Sequence, residues 1–246
     1  MVQKQRETTS PFLIISSLGF LLLALIAFYP PTVVEDFGWR KPLVGSILGI
    51  ECLLGILASV YPRRCSRVFG GKNKKPEISI EHNLEKDTVS VRGHHPDCGY
   101  YSAHVFQISS KYFCVGCTGL LLGAVATLVG MIPYFFSDLS YGPNLLVFLL
   151  GLVGISLGLF QFHLLDPQMR FVRLLTNAFF VIGTFLALVG VDGIAQNTFV
   201  DLFLISLSFF WIYTRIVISD WNHRKICVSC GVDSCEYKRV LYKFSS

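Results

Sequence analysis

The chain has 246 residues, of which 52% are hydrophobic and only 15% charged, with a mean hydropathy of +0.56 and a formal net charge of +5. Soluble domains place roughly a quarter of their residues in charge, so a water-soluble globule and a disordered polar chain are both excluded. The composition predicts an all-α integral membrane bundle.

A hydrocarbon core about 30 Å thick takes roughly 20 helical residues to cross. Six apolar runs of that length are read along the chain, at residues 11–29, 43–61, 115–136, 144–164, 171–191 and 199–219. They divide it into helices 1 and 2 (1–61), a polar insert (62–113), helices 3 to 6 (114–219) and a polar tail (220–246).

The first run follows Lys4 and Arg6, as a secretory signal would, but it is long and ends in Tyr29-Pro30-Pro31 without a small-residue cleavage pattern. It is read as a retained anchor. The second run carries Glu51 beside Cys52. A carboxylate in hydrocarbon is costly unless protonated, paired or facing a wet cavity, so Glu51 is either hydrogen-bonded packing or part of ion or proton handling. Asn177, Gln161 and His163 are the polar residues expected to reach toward it.

The insert opens on a basic stretch, Arg63, Arg64, Arg67, Lys72, Lys74 and Lys75. Such a run next to an apolar span sets topology and attracts anionic lipid heads, and no nucleic-acid partner is expected. Ile78 and Ile80, then Val89 and Val91, alternate with polar neighbours and predict a hairpin turning within 83–87. A second hairpin is predicted from strands 105–108 and 112–114, with Ser109-Ser110-Lys111 between them. Sheets this small bury too little apolar area to stand alone. A metal clip or docking on the bundle is therefore expected.

Cysteine and histidine gather at the end of the insert and in the tail. His94, His95, Cys98 and His104 precede Cys114-Val115-Gly116-Cys117. Two thiols three residues apart face one ion from a tight turn, and three or four sulfur and nitrogen ligands make an ordinary tetrahedral zinc site. The preferred set is Cys98, Cys114 and Cys117, with His95 or His104 as the fourth ligand. In the tail, His223, Cys227, Cys230 and Cys235 have the spacing of a second Cys3His site. The two segments form either two separate sites or one shared, binuclear one. His163 and Asp166, at the end of the fourth run, are read as interfacial hydrogen-bonding residues or as extra ligands.

The pairs Gly45/Gly49, Gly119/Gly123 and Gly154/Gly158 have the four-residue spacing that lets membrane helices approach closely. Tyr29, Trp39 and Tyr141 at one boundary and Trp221 at the other fit interfacial aromatic belts. Orientation follows from Lys and Arg. With the N-terminus inside, the external loops hold only Arg40 and Lys41 of the 21 basic residues, Arg215 being counted as snorkelling inward. Both termini and both cysteine clusters are thus predicted to be cytoplasmic, at the cell membrane. A reducing cytosol disfavours structural disulfides and leaves these thiols for metal or transient redox work.

The stretch 94–123 carries His94-His95-Pro96-Asp97-Cys98, Ser102, His104, Cys114-Val115-Gly116-Cys117-Thr118-Gly119 and Gly123. It resembles the uncharacterised membrane-protein family DUF2085, whose members carry a Cys-His-Gln element and a downstream Cys-x-Arg-Cys-Thr-Gly element opening a membrane helix. Here Gly99 and Tyr100 stand in place of His-Gln, and Gly116 in place of Arg. The resemblance implies a membrane protein with a cysteine site, and His94, His95 or His104 would substitute for the missing histidine. The His-His-Pro-Asp-Cys variant resembles archaeal forms of such proteins.

No phosphate-cradling glycine loop, nucleophile elbow, His-Glu-x-x-His or haem-attachment signature occurs. The favoured reading is a non-catalytic membrane component whose cytoplasmic zinc-stapled domain, contacting lipids and a membrane-protein partner, organises a complex. Alternatives are a thiol-disulfide oxidoreductase using Cys114 and Cys117, and a metal transporter or chaperone with Glu51 on the path. A single buried carboxylate counts against the transporter.

Overall fold

A computed structural model describes residues 2–32, 37–61, 91–92, 95–96, 99–137, 139–164 and 169–229. Six long helices form the bundle: α1 (Val2–Phe28), α2 (Arg40–Val60), α3 (Val115–Ser137), α4 (Asn144–Leu164), α5 (Arg170–Ala195) and α6 (Thr198–Ser229). Each holds a stretch long and apolar enough to cross a membrane. The outward faces are apolar too, with Leu21, Leu25, Leu54, Leu57, Val129, Leu146 and Val153 all exposed. Apolar surface of this extent needs an apolar solvent or partner.

α5 is the central helix. It packs most extensively on α4, then on α3, and also meets α1 and α6. Glycine makes the close approaches. A Cβ on Gly154 would lie 3.0 Å from the Gly183 Cα, and one on Gly183 would lie 2.8 Å from the Gly151 carbonyl oxygen. Gly119 and Gly123 likewise meet the α5 backbone around Leu174 and Ala178, while Gly45 and Gly49 of α2 meet Phe135 and Met131 of α3. All three predicted glycine pairs therefore lie at helix contacts, as small residues do when backbones pack without a hydrophobic driving force.

Between α2 and α3 lie two small antiparallel pairs. β1 (Val91–Arg92) pairs with β2 (His95–Pro96). β3 (Val105–Ile108) pairs with β4 (Lys111–Cys114) in the register Val105↔Cys114, Phe106↔Phe113, Gln107↔Tyr112 and Ile108↔Lys111. The second hairpin is the predicted one, except that Lys111 belongs to the strand and the turn is only Ser109-Ser110. Ser109 has φ 55, the positive first position of a type II′-like turn whose twist suits a hairpin. Val91 pairs with Pro96; the predicted partner strand at 78–80, like Val89, lies outside the described residues. A 3₁₀ turn, Gly99–His104, leads into β3 and buries Tyr101 to 2% exposure. The described end of the insert thus docks on the bundle through Tyr101.

α6 departs from the sequence reading. It continues ten residues beyond the predicted end at 219, so His223 and Cys227 are one turn apart on a helix rather than in a separate tail. Its 32 residues span roughly 48 Å at 1.5 Å per residue, well beyond a hydrocarbon core.

Candidate functional site

The extra turns of α6 meet the insert. The Tyr101 hydroxyl lies 3.2 Å from Cys227 Sγ and donates to the His223 carbonyl oxygen at 3.1 Å. The Tyr101, His104 and His223 rings pack edge to face, with centroids 5.2 Å (Tyr101–His104), 5.8 Å (Tyr101–His223) and 5.7 Å (His104–His223) apart. His104 and Cys227 are buried at 6% and 7% exposure. Residues 119 positions apart in sequence, one from each predicted cluster, therefore share one small space. His94, Cys98, Cys230 and Cys235 lie outside the described residues, as does Asp166; His95 and His163 are described in backbone only. Among the described residues, no three His, Cys, Asp or Glu side chains gather into a metal-holding group.

Deeper in the bundle sits the Cys-x-x-Cys pair. Cys114 closes β4 and Cys117 lies in the first turn of α3, so the strand-to-helix junction turns both thiols inward and they hydrogen-bond to each other. Arg215 of α6 is electrostatically coupled to both sulfurs and Arg173 of α5 to Cys114. Asn177 ties this layer together. Its Oδ1 accepts from Arg215 Nη2 at 2.8 Å, and its Nδ2 donates to the Arg173 carbonyl at 2.6 Å and lies 3.4 Å from Gln161 Oε1. The Thr176 hydroxyl lies 2.9 Å from the same Gln161 oxygen.

Asn177 is therefore engaged with Arg215 and the Arg173 carbonyl, Gln161 with Thr176 and Asn177, and the partner found for Glu51 is Ser208 of α6. Ser208 Oγ lies 2.7 and 2.9 Å from the two Glu51 carboxyl oxygens and 2.7 Å from the Ile205 carbonyl oxygen. One hydroxyl proton cannot serve three acceptors. The arrangement is fully satisfied when Glu51 carries a proton and donates to Ser208, which donates to Ile205.

A fourth polar group at the opposite end of the bundle was not foreseen from sequence. Arg40 Nη1 donates at 2.6 Å to both Asp192 Oδ1 and Asp201 Oδ2. The Tyr134 hydroxyl donates to Asp192 Oδ2 at 2.6 Å. Arg40, Asp192 and Asp201 are 5%, 1% and 0% exposed. Arg40, read above as a loop residue, is instead a buried ion-pair residue at the start of α2. The α5–α6 turn explains the meeting of the two aspartates. Gln196 ends α5 in the left-handed region (φ 44), and Asn197 Oδ1 accepts from the Phe199 and Val200 amides to cap α6. Asp192 lies four residues before Gln196, and Asp201 four after Asn197. One helical turn inward on each side of a two-residue link, they must lie side by side. That symmetric spacing was the available signal. Among the described residues there are thus three buried carboxyl groups where the sequence reading counted one.

Beside this cluster opens a cavity of about 620 Å³ lined by Arg40, Lys41, Tyr134, Ser140, Asn144 and Asp192 among others. Comparison with protein-family models, curated proteins and solved structures returns no match for this chain.

Proposed function

We propose that this chain is a multi-pass cell-membrane protein with both termini and both cysteine segments in the cytoplasm. A zinc site shared by the insert and the end of α6 locks the cytoplasmic face, and the protein serves as a structural component of a membrane complex. The supporting observation is the meeting of Tyr101 and His104 with His223 and Cys227. Two imidazoles on one tetrahedral zinc, with Zn–N near 2.0–2.1 Å, place their ring centres about 5 Å apart, close to the 5.7 Å between His104 and His223. These two histidines and Cys227 would supply three ligands after small side-chain movements, with Cys98 or Cys230 completing the set. Zinc there would contribute folding energy to an insert that has little apolar core of its own. The lysine and arginine bias, with Arg40 internally paired with Asp192 and Asp201 and Lys41 over the Tyr134 ring, supports the orientation.

Elemental mass spectrometry of protein purified without added metal is expected to find about one zinc per chain, with thiols protected until chelation. Cys227→Ser and His223→Ala should each lose most of the metal and leave the insert thiols reactive. A metal-free protein with freely reactive thiols would sink the reading.

A second reading rests on a different observation, the two hydrogen-bonded thiols at a helix start beside Arg173 and Arg215. That placement suits thiol-disulfide exchange, in which one sulfur attacks a partner disulfide and the other resolves it. Replacing Cys117 by serine should then accumulate mixed disulfides through Cys114 in cells. Their complete absence after trapping with acid would remove this reading.

A further inference from the structure

A stripe of buried polar groups lies along one face of α6. Asp201, Ser208 and Arg215 are seven residues apart, two helical turns, so each step advances roughly 10 Å along the same stripe. All three are buried, and each meets a polar or charged residue from another helix: Arg40, Glu51 and Asn177 respectively. Buried ionisable residues at successive depths are expensive in a membrane and are the kind of residue that lines ion pathways and proton relays.

Two features favour the proton. The first is proton count. With a proton on the carboxyl, Glu51 donates to Ser208 and Ser208 to the Ile205 carbonyl, so all three contacts of the Ser208 hydroxyl are used. Asp201 Oδ1 is buried without a hydrogen-bond partner among the described residues, and it too is satisfied by a proton shared with the adjacent Asp192. The second is a hydratable route. The cavity of about 620 Å³ reaches Asp192, Tyr134 and Arg40 from the far end. Past Glu51, Trp211 Nε1 is buried with no hydrogen-bond partner among the described residues, an N–H that one transient water would satisfy. One turn further, the Ser16 and Thr214 hydroxyls pair at 3.3 Å.

We propose that this stripe is a gated proton-transfer path from the far-end cavity to the cysteine-bearing end. In one cycle the Glu51 carboxyl passes its proton through the Ser16 and Thr214 hydroxyls, which relay it to water at the cysteine-bearing end, and is left as a carboxylate. It is then reprotonated by the Asp192/Asp201 pair, which takes its replacement from hydronium in the far-end cavity, leaving water there. Only O–H bonds form and break, no electrons move, and one proton crosses per cycle down its gradient. Val44 and Leu48 of α2 with Leu204 and Ile205 of α6, all buried, separate Asp201 from Glu51 as a dry layer that must wet for transfer, the gating mode of hydrophobic constrictions. The charged or titratable groups facing the far-end pair are Arg40 and Lys41 of α2 and Tyr134 of α3; beside Glu51 stands Cys52. The path is independent of whether the cysteine end holds zinc.

The test is proton flux into proteoliposomes of the full chain, read with a lumenal pH dye under a valinomycin-set potassium potential. Wild type, or Leu204→Ser with its wetted barrier, is expected to acidify the lumen at least tenfold faster than protein-free vesicles, and Glu51→Gln to reduce that rate at least tenfold. Should carboxyl variants fail to fold, a hydrophobic carbodiimide on the wild-type protein should label Glu51 by mass spectrometry and block the flux. The proposal is overturned if neither wild type nor Leu204→Ser exceeds protein-free vesicles, or if flux survives both Glu51→Gln and complete Glu51 labelling.

Discussion

Replacing Arg40 by methionine is expected to lower the thermal midpoint of the detergent-solubilised protein by on the order of 10 °C. The reason is the geometry of the far-end cluster: one guanidinium nitrogen serves two carboxylates at 2.6 Å each, in a place where all three residues are at most 5% exposed. Removing one partner of a buried ion pair typically costs about 3–5 kcal/mol, because it strands the other charge. Here two carboxyl groups would be stranded. For a chain of this size each kcal/mol shifts the midpoint by about 2–4 °C. The companion experiment separates charge from packing. A triple variant, Arg40→Met with Asp192→Asn and Asp201→Asn, should recover part of the loss, since it removes the stranded charges while leaving two buried amides to be satisfied. If the single variant melts within about 2 °C of wild type, the cluster contributes no stability and the side-by-side aspartates need another explanation.

The bundle was legible because helix length and apolar runs coincide. The run at 144–164 has the same bounds as α4, and the start of α3 falls at the predicted Val115. The hairpin at 105–114 was legible from alternation, and its turn was misjudged by one residue because Ser109 takes a positive φ that residue type alone does not announce. The end of α6 was missed for a different reason. Hydropathy reports the solvent a helix faces, and the polar turns carrying Asp220, Asn222 and Lys225 look like an exit into water. The backbone stays helical there because Tyr101 of the insert meets Cys227 and the His223 carbonyl, contacts no local pattern encodes. The same limit applies to pairing. Glu51 stood out at once, yet its partner was sought among amides and histidine, when the nearby α6 offers a serine and the amides of α4 and α5 are held by the arginine layer. Arg40, Asp192 and Asp201 were each visible near predicted helix ends. What sequence did not reveal was that they end at one depth, although the matching offsets of the two aspartates from Gln196-Asn197 carried that information.

The second large effect is expected at Gly183. A Cβ there would sit 2.8 Å from the Gly151 carbonyl oxygen and 2.9 Å from the Gly154 Cα, and neither backbone atom can rotate away as a side-chain tip could. Overpacking a tight interior usually costs about 1–3 kcal/mol when side chains absorb it. Against backbone the helices themselves must separate, so Gly183→Leu belongs at or above the upper end of that range. α4 would be displaced from the central helix along the face where Gly151, Gly154 and Gly158 meet α5. That movement would pull Gln161 from Thr176 and loosen the layer holding Arg215 and the Cys114–Cys117 pair. A fall in thermal midpoint of about 5 °C or more should therefore come with faster alkylation of Cys114 and Cys117. Gly55→Ala is the matching control: its Cβ meets nothing within 4 Å, and exchanging a helical glycine for alanine relieves up to about 1 kcal/mol of helix-propensity cost. It should leave the midpoint unchanged or raise it slightly. Equal behaviour of the two variants would mean that α4 and α5 are not held by glycine contact, and the centre of the bundle would have to be sought elsewhere.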